Sequence, residues 1–328
     1  MRLALGILIS AASAFGADWS PKLAAQYLDG RQKEWFAWPR AASADGPCVS
    51  CHTGMPYLLA RPVLRRVLGE SQPTEYETRL LNRLRAHVGA KPPGTLQGVE
   101  SIFAALFLAQ RGDASARQAF DQLWALQVKD GRLKGSWPWY TVDLDPWETP
   151  PSLLYGSALA ALAIGSAPDA IRQSPDAQSR LQAFEDYTNG TADRPLHSRL
   201  ALLWAATKVP ALLSATARQA LIDQVMGKQQ SDGSWTVESL GPWPAHPGAP
   251  ASSGGNSYAT AFTAYVLGQA GVPSPRALEW LKAHQDPQTG AWPAVSMNKH
   301  YPPGSMEEKF LQDAATAFAA LALSEAGQ

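Results

Sequence analysis

Gln229-Gln-Ser-Asp-Gly233-Ser-Trp235 is one of three copies of a short motif that predicts the fold. The other copies are Gln127-Val-Lys-Asp-Gly-Arg-Leu-Lys-Gly135-Ser-Trp137 and Gln285-Asp-Pro-Gln-Thr-Gly290-Ala-Trp292. The spacing of the three tryptophans fits a repeat of about 50 residues with one degenerate copy. Self-similarity at such a period indicates an architecture in which each unit buries its apolar face against the next.

Each motif follows an amphipathic helical pattern and precedes an apolar, alanine-rich one. Continuing this alternation through the chain predicts six amphipathic and six apolar helices. The amphipathic segments are 20–34, 76–89, 115–128, 175–188, 215–228 and 275–284. The apolar segments are 55–69, 98–112, 151–166, 196–209, 256–271 and 311–326. Helices that are apolar on nearly every side are expected to be buried.

This pattern predicts an all-α fold, a single (α/α)6 toroid over residues 18–328 with six inner and six outer helices. The motif resembles the Q-x(3–4)-G-x-W repeat of the terpenoid cyclase and protein prenyltransferase superfamily, of which the squalene–hopene cyclases are members. The resemblance implies that the motifs staple the outer helices to neighbouring turns. It predicts a fold rather than a reaction, because one fold supports many chemistries.

The N-terminus has the pattern of a secretory signal. Arg2 precedes an apolar run from Leu3 to Ile9, and small residues follow, with an Ala12-Ser-Ala14 cleavage pattern or a later cut near Ala17. The apolar run is shorter than the ~20 residues of a membrane span, although an anchor is the alternative interpretation. We therefore expect residues 1–17 to be removed and the mature chain to be periplasmic or secreted, with no membrane span.

The two cysteines of the chain form the sequence Cys48-Val-Ser-Cys51-His52. The C-x-x-C-H spacing is the covalent attachment signature of haem c. In this interpretation the two thiols bind the haem vinyl groups and His52 is the proximal iron ligand, with one haem per chain. Alternatives are an i,i+3 disulfide, a thioredoxin-type redox pair, which is typical of a βαβ context, and a zinc site, which would lack a second cysteine pair.

Four long connections are predicted to lie on one face of the toroid. The haem-attachment loop, about residues 40–55, joins the first outer helix to the first inner helix. The connections 138–150, 236–255 and 293–310 are long and rich in Trp, Tyr, His, Met and acidic residues. Loops of this length are seldom simple connectors, so we expect them to cover the haem.

These loops provide the candidates for the sixth iron ligand. Met297, His300, Met306 and His246 are on the predicted haem face, and methionine and histidine are common axial ligands. An open sixth position is the alternative, and it would favour small-molecule or peroxide chemistry over electron transfer alone.

The acidic residues Asp143, Asp145 and Glu148 are weak catalytic candidates. Proton-initiated terpenoid cyclases have a D-x-D-D motif, which this chain resembles at Asp143-Leu-Asp145 but which ends in Pro146 here. That departure weakens the case for alkene protonation, because a strong general acid requires neighbours that adjust its pKa. The alternative is that these acids cap a helix or face solvent.

Charge and composition exclude some classes of partner. The chain has 28 basic and 28 acidic residues, so no basic surplus indicates nucleic-acid binding. We expect a mono-haem c-type protein that acts in electron transfer or haem-dependent redox chemistry, with a periplasmic redox partner or a small hydrophobic ligand. The alternatives are a terpenoid-cyclase-like isomerase and a non-catalytic ligand-binding toroid, and the sequence does not decide whether the protein is an enzyme.

Overall fold

The computed structural model describes residues 19–43, 46–90, 96–191, 193–251 and 254–327. Within these ranges the regular secondary structure is helical except for a small antiparallel hairpin of β1 (Ala42–Ser43) and β2 (Gly46–Pro47), which confirms the all-α prediction. No helix in these ranges is both long enough and apolar enough to cross a membrane. The predicted signal peptide, residues 1–17, lies outside the described residues.

The helices alternate between half-buried and almost fully buried elements. They are α1 (Pro21–Ala37), α2 (Gly54–Val67), α3 (Glu75–Gly89), α4 (Gln97–Gln110), α5 (Ala116–Leu126), α6 (Leu153–Gly165), α7 (Asp169–Arg172), α8 (Pro175–Thr188), α9 (Leu196–Ala206), α10 (Ala215–Met226), α11 (Ser257–Gln269), α12 (Pro275–Ala283) and α13 (Phe310–Ala326). All twelve predicted helices are present within a few residues of their predicted bounds. The single turn α7 was not predicted.

Several helices begin where the sequence places a capping side chain. The hydroxyl groups of Ser20, Ser174 and Ser214 each accept a hydrogen bond from a backbone N–H in the first turn of α1, α8 and α10. Thr74 and Glu77 form a reciprocal capping box at the start of α3. Such caps satisfy N–H groups that have no partner inside the helix.

The almost fully buried helices pack against one another. Helix α13 packs against α2 and α11, α9 packs against α11 and α6, and α6 packs against α4. The Arg111 guanidinium, at the end of α4, donates a hydrogen bond to the carbonyl of Leu58 in α2, at 3.2 Å. The amphipathic helices cover these elements, with α3 and α5 on α4, α8 on α6, α10 on α9 and α12 on α11.

The three motif tryptophans make equivalent hydrogen bonds. The indole N–H groups of Trp137, Trp235 and Trp292 donate to the carbonyls of Leu123, Val225 and Leu281, at 2.9, 2.8 and 2.7 Å. Their backbone N–H groups donate to the hydroxyls of Ser157, Thr260 and Thr316, at 3.0, 3.0 and 3.1 Å. Each tryptophan therefore links the amphipathic helix before it to the buried helix after it.

The motif glycines lie against the next amphipathic helix. Gly135 has a φ of 91°, and a methyl group built there would lie 1.9 Å from the carbonyl oxygen of Ala183 in α8. Gly290 has a φ of 78°, and a methyl group there would collide with the backbone of Leu23 in α1. Only glycine fits both the backbone conformation and this close approach. The last motif therefore contacts the first helix.

Candidate functional site

The Cys48–His52 segment connects β2 to α2, and local hydrogen bonds hold it in place. The Cys48 N–H donates to the carbonyl of Ala41 at 3.1 Å, and its carbonyl accepts from the Trp35 indole at 2.8 Å. The Ser50 hydroxyl accepts from the N–H groups at the start of α2, at 3.2 and 3.0 Å. The two cysteines and the histidine are thus held on a closely bonded turn at the start of a buried helix.

Cys48, Cys51 and His52 all line one cavity of about 590 Å³. This volume is within the ~300–1,000 Å³ range of sites that hold small molecules and cofactors. We refer to it as the CxxCH cavity. Its other lining residues are Trp35, Trp38, Arg40, Ala41, Val49, Ser50, Leu96, Val99, Tyr140, Val142, Leu144, Glu148, Lys299, Tyr301, Glu307 and Phe310. It therefore has aromatic walls with a few charged groups.

The two cysteines are free thiols with raised pKa values. Burial, with the charges of Glu100 and Glu148, raises the pKa of Cys48 to about 12. Burial and Glu148 raise the pKa of Cys51 well above its ordinary value. A redox-active C-x-x-C pair depends on a lowered thiol pKa, so this environment disfavours the thioredoxin-type interpretation. Within the described ranges no group of three or more His, Cys, Asp and Glu side chains is arranged to hold a metal ion.

His52 is a buried, neutral imidazole. Burial and the nearby charge of Arg31 lower its pKa to about 3. Its ring stacks on Phe310, with ring centroids 3.6 Å apart and planes 22° apart, and it meets the Trp35 ring edge-on at 5.2 Å. Nδ1 lies 2.9 Å from the Thr53 hydroxyl. A neutral imidazole is the form that binds metals, and no hydrogen bond involves Nε2 among the described residues.

Beside His52, a buried ion pair joins α1 to α13. The Arg31 guanidinium donates to both carboxylate oxygens of Asp313, at 2.7 and 3.1 Å. The hydroxyls of Thr53 and Tyr27 donate to the same carboxylate at 2.7 and 2.8 Å. Arg31 and Asp313 are only 3% and 1% exposed, so the charged groups are separated from water but paired with each other.

Glu148 lies in the wall of the CxxCH cavity. It is buried and hydrogen-bonded to the Cys51 side chain. Burial raises its pKa from an ordinary value of 4.5 to about 7, because a low-dielectric environment disfavours the charged form. Near neutral pH this carboxyl group therefore holds a proton for part of the time.

Asp145 faces a different environment from Glu148, although only two residues separate them. One oxygen of its buried carboxylate accepts from the Thr149 hydroxyl at 2.9 Å, and the other lies 2.7 Å from Nε2 of His246. Asp143 is exposed. The alternative of helix-capping or solvent-facing acids is therefore wrong for Asp145 and Glu148, because the loop folds back over the helices and buries both.

None of the four predicted sixth ligands lines the CxxCH cavity. His246 and Met297 line a separate cavity of about 380 Å³, His300 is exposed, and the buried Met306 accepts a hydrogen bond from Arg31 through its carbonyl. The neighbours of His300, Lys299 and Tyr301, line the CxxCH cavity instead. The predicted ligand and the residues that line the cavity are therefore direct neighbours in the chain.

The prediction that three long loops cover the site is also modified. Segments 138–150 and 293–310 contribute walls to the CxxCH cavity, whereas 236–255 does not line it. The three loops nevertheless contact one another, because His246 and Asn298 both bond to Asp145. They therefore lie at the same end of the helices.

Some residues of the site carried no local signal in the sequence. Thr53, Asp313, Phe310 and Arg31 all surround His52, but Asp313 and Phe310 are more than 250 residues away in the chain. The only indication of these contacts in the sequence was Asp313, an isolated aspartate in the first turn of the apolar helix α13. A charged residue in a buried helix requires a partner.

Comparisons with known proteins assign no family. No protein-family profile matches this chain, and no curated protein sequence matches it. The functional assignment therefore depends on the geometry of the CxxCH cavity.

Proposed function

We propose that this protein is an exported mono-haem c-type protein on a squalene-cyclase-like (α/α)6 toroid. The observation that carries the proposal is the CxxCH cavity, in whose wall Cys48, Cys51 and a neutral His52 lie together. The protein would act in electron transfer or haem-dependent redox chemistry in the periplasm or outside the cell. A signal peptide over residues 1–17 is part of this proposal.

Two observations support the toroid. The buried helices pack in the order α4, α6, α9, α11, α13 and α2, and Arg111 joins α4 back to α2. The third motif contacts the first helix, because the Gln285 side-chain amide both donates to the Ser20 carbonyl at 3.0 Å and accepts from the Ser20 N–H at 2.6 Å. A ring in which the last unit meets the first has no exposed apolar end, unlike an open stack of repeats.

The residues of the CxxCH cavity fit haem c chemically. Cys48 and Cys51 are free cysteines, and the S and H of each thiol would add across one haem vinyl group to form a thioether. His52 would ligate the iron through Nε2, since Nδ1 is engaged by Thr53. The aromatic walls suit a flat apolar macrocycle, and the cations Arg40 and Lys299 suit the haem carboxylates. When bound, haem supplies a one-electron Fe(III)/Fe(II) couple.

The protein's own residues would control access to this couple. Trp35, Tyr140 and Phe310 line the cavity and would shield a bound haem from water, and burial is one of the factors that sets a haem potential. Glu148 can hold or release a proton at its carboxyl group near neutral pH. A redox partner or a small hydrophobic ligand would approach from the end where the long loops meet.

The first test is whether haem is covalently attached. The protein is exported with the haem-attachment machinery present, its pyridine haemochrome spectrum is recorded, and the denatured chain is extracted with acid-acetone. We expect one retained c-type haem per chain in the wild type and none in a Cys48→Ser/Cys51→Ser variant. His246→Gln, at the neighbouring cavity, is the matched control and should retain haem. A folded, exported wild-type protein without haem would contradict the proposal.

A second candidate function is a terpenoid-cyclase-like isomerase. It is favoured by the buried Asp145 carboxylate, which is paired with His246 at a cavity of about 380 Å³. This arrangement is suited to proton transfer. It predicts turnover of a polyprenoid that is lost in Asp145→Asn while the attached haem is retained, and absence of turnover in the wild type would eliminate it.

A further inference from the structure

We propose that Thr53 and Asp313 are positioning residues for His52, which they hold with Nδ1 as a hydrogen-bond donor and Nε2 directed to the iron site. The inference rests on the proposed haem function. It concerns a relay of hydrogen bonds from the imidazole through the Thr53 hydroxyl to the Asp313 carboxylate.

The direction of the relay follows from counting protons. An ionised carboxylate only accepts hydrogen bonds, and a threonine hydroxyl has one proton to donate. The Thr53 hydroxyl donates that proton to Asp313 at 2.7 Å. It can therefore only accept from His52, whose Nδ1 lies 2.9 Å away. Nδ1 must then carry the imidazole proton, which leaves the Nε2 lone pair for a metal.

Arg31, Thr53 and Tyr27 all direct donors at the Asp313 carboxylate, which marks it as an acceptor. Burial raises its pKa, and these three residues oppose only part of that rise. The guanidinium of Arg31 stays charged at any ordinary pH, and it bonds both carboxylate oxygens. Thr53 is 3% exposed, so bulk water has little access to its hydroxyl.

Two residues in the first turn of α13 fix the His52 imidazole. One sets the plane of the ring, and the other accepts the end of its hydrogen-bond relay. Phe310 stacks on the His52 ring at 3.6 Å, and Asp313 receives the relay. These two residues are three positions apart in the helix and so lie on the same face. A ligand ring with a fixed plane and a fixed tautomer is pre-organised for coordination.

The relay should also affect the haem potential. A hydrogen bond from Nδ1–H toward a carboxylate makes the imidazole a stronger electron donor, which favours Fe(III) over Fe(II). Removal of the relay should therefore favour Fe(II). We expect the equilibrium constant of the couple to shift about tenfold, which is about 59 mV for one electron.

The test compares Thr53→Val, which has nearly the same shape but no hydroxyl, with Thr53→Ser, which keeps the hydroxyl. The measurement is the midpoint potential of the haem-loaded protein, together with the exchange of the His52 Nδ1 proton by NMR. We expect Thr53→Val to raise the potential by the stated amount and to speed the exchange. Thr53→Ser should restore both values to near those of the wild type, which a general packing defect would not do.

The outcomes separate this inference from the proposed function. If haem is attached but Thr53→Val leaves the potential and the proton exchange unchanged, the relay is wrong and the haem assignment stands. If the exported wild type is folded without haem, the haem assignment fails. The relay is then decided by the nitrogen chemical shifts of His52 in that protein, since an Nε2–H tautomer would overturn it.

Discussion

Asp313 and Glu148 are two buried carboxyl groups that lie near the Cys48–His52 segment. The side chains that surround each of them differ. Asp313 has a guanidinium and two hydroxyl groups directed at it. Glu148 has the Cys51 thiol, and no cation pairs with it among the described residues. Burial raises the pKa of both groups, to about 7 for Glu148, and the partners of Asp313 oppose part of that rise.

This difference suggests a division of roles. A buried carboxylate with several donors is costly to strip of its partners, so it is suited to holding other groups in place. A carboxyl group without a cation titrates close to neutral pH, and such groups are enriched at functional sites. We therefore expect Asp313 to contribute to stability and geometry, and Glu148 to exchange a proton at the cavity.

The largest expected effect follows removal of the Asp313 carboxylate. Asp313→Ala leaves the buried Arg31 guanidinium with only the exposed Glu34 carboxylate as an ionic partner, so the free energy of unfolding should fall by about 3 kcal/mol. Urea unfolding monitored by circular dichroism measures this change. Replacing both residues, as Arg31→Met/Asp313→Leu, should recover most of the loss, because no charge remains unpaired. An Asp313→Ala loss below about 1 kcal/mol would contradict the comparison.

The next effect is a dependence of stability on pH at Glu148. Between pH 4.5 and about 7 the folded protein keeps a proton on Glu148 that the unfolded chain has released. The free energy of unfolding of the wild type should therefore fall as the pH rises through this interval, by about 3 kcal/mol in total. Glu148→Gln does not titrate there, so its advantage over the wild type should grow from near zero at pH 4 to about 3 kcal/mol at pH 8.

Urea unfolding of both proteins, in the same haem state, at several pH values measures this difference. Groups other than Glu148 titrate equally in both proteins and cancel. A constant difference across the range would show that Glu148 has a partner that keeps its pKa low.

The smallest effect compares two tyrosines. Tyr27→Phe removes a hydroxyl that donates to Asp313 at 2.8 Å, so it should lower the free energy of unfolding by about 1–2 kcal/mol. Tyr140→Phe, in the wall of the CxxCH cavity near Glu148, is the matched control and should change it by less than about 0.5 kcal/mol. Urea unfolding measures the loss of stability in each variant. Equal losses would show that the Tyr27 hydrogen bond does not distinguish the surroundings of Asp313 from those of Glu148.

The sequence predicted the helices well because their signals are local. Apolar periodicity, serine caps such as Ser174 and turn glycines such as Gly135 act within a few residues of their own position. The repeated motif also predicted which tryptophans are structural, and all three are fully buried with equivalent hydrogen bonds. The Cys48, Cys51 and His52 set was found for the same reason, since its spacing lies within one turn.

The rest of the site depended on segments that are distant in the chain. The partners of His52 on α13, and the choice of Lys299 over His300 at the cavity wall, follow from how loops and helices meet. The separation of Glu148, which lines the CxxCH cavity, from Asp145, which bonds to His246, is of the same kind.

The sequence by itself determined the helical architecture, the repeat and the Cys48, Cys51 and His52 set on which the haem proposal rests, because short-range backbone and spacing rules encode them. Only the tertiary structure decided which carboxyl groups have a cationic partner, which nitrogen of His52 faces the Thr53 hydroxyl and which side chains line the cavity. The physical reason is that pKa values, tautomers and enclosure depend on burial and on atoms within a few ångströms, and a linear sequence does not specify those distances.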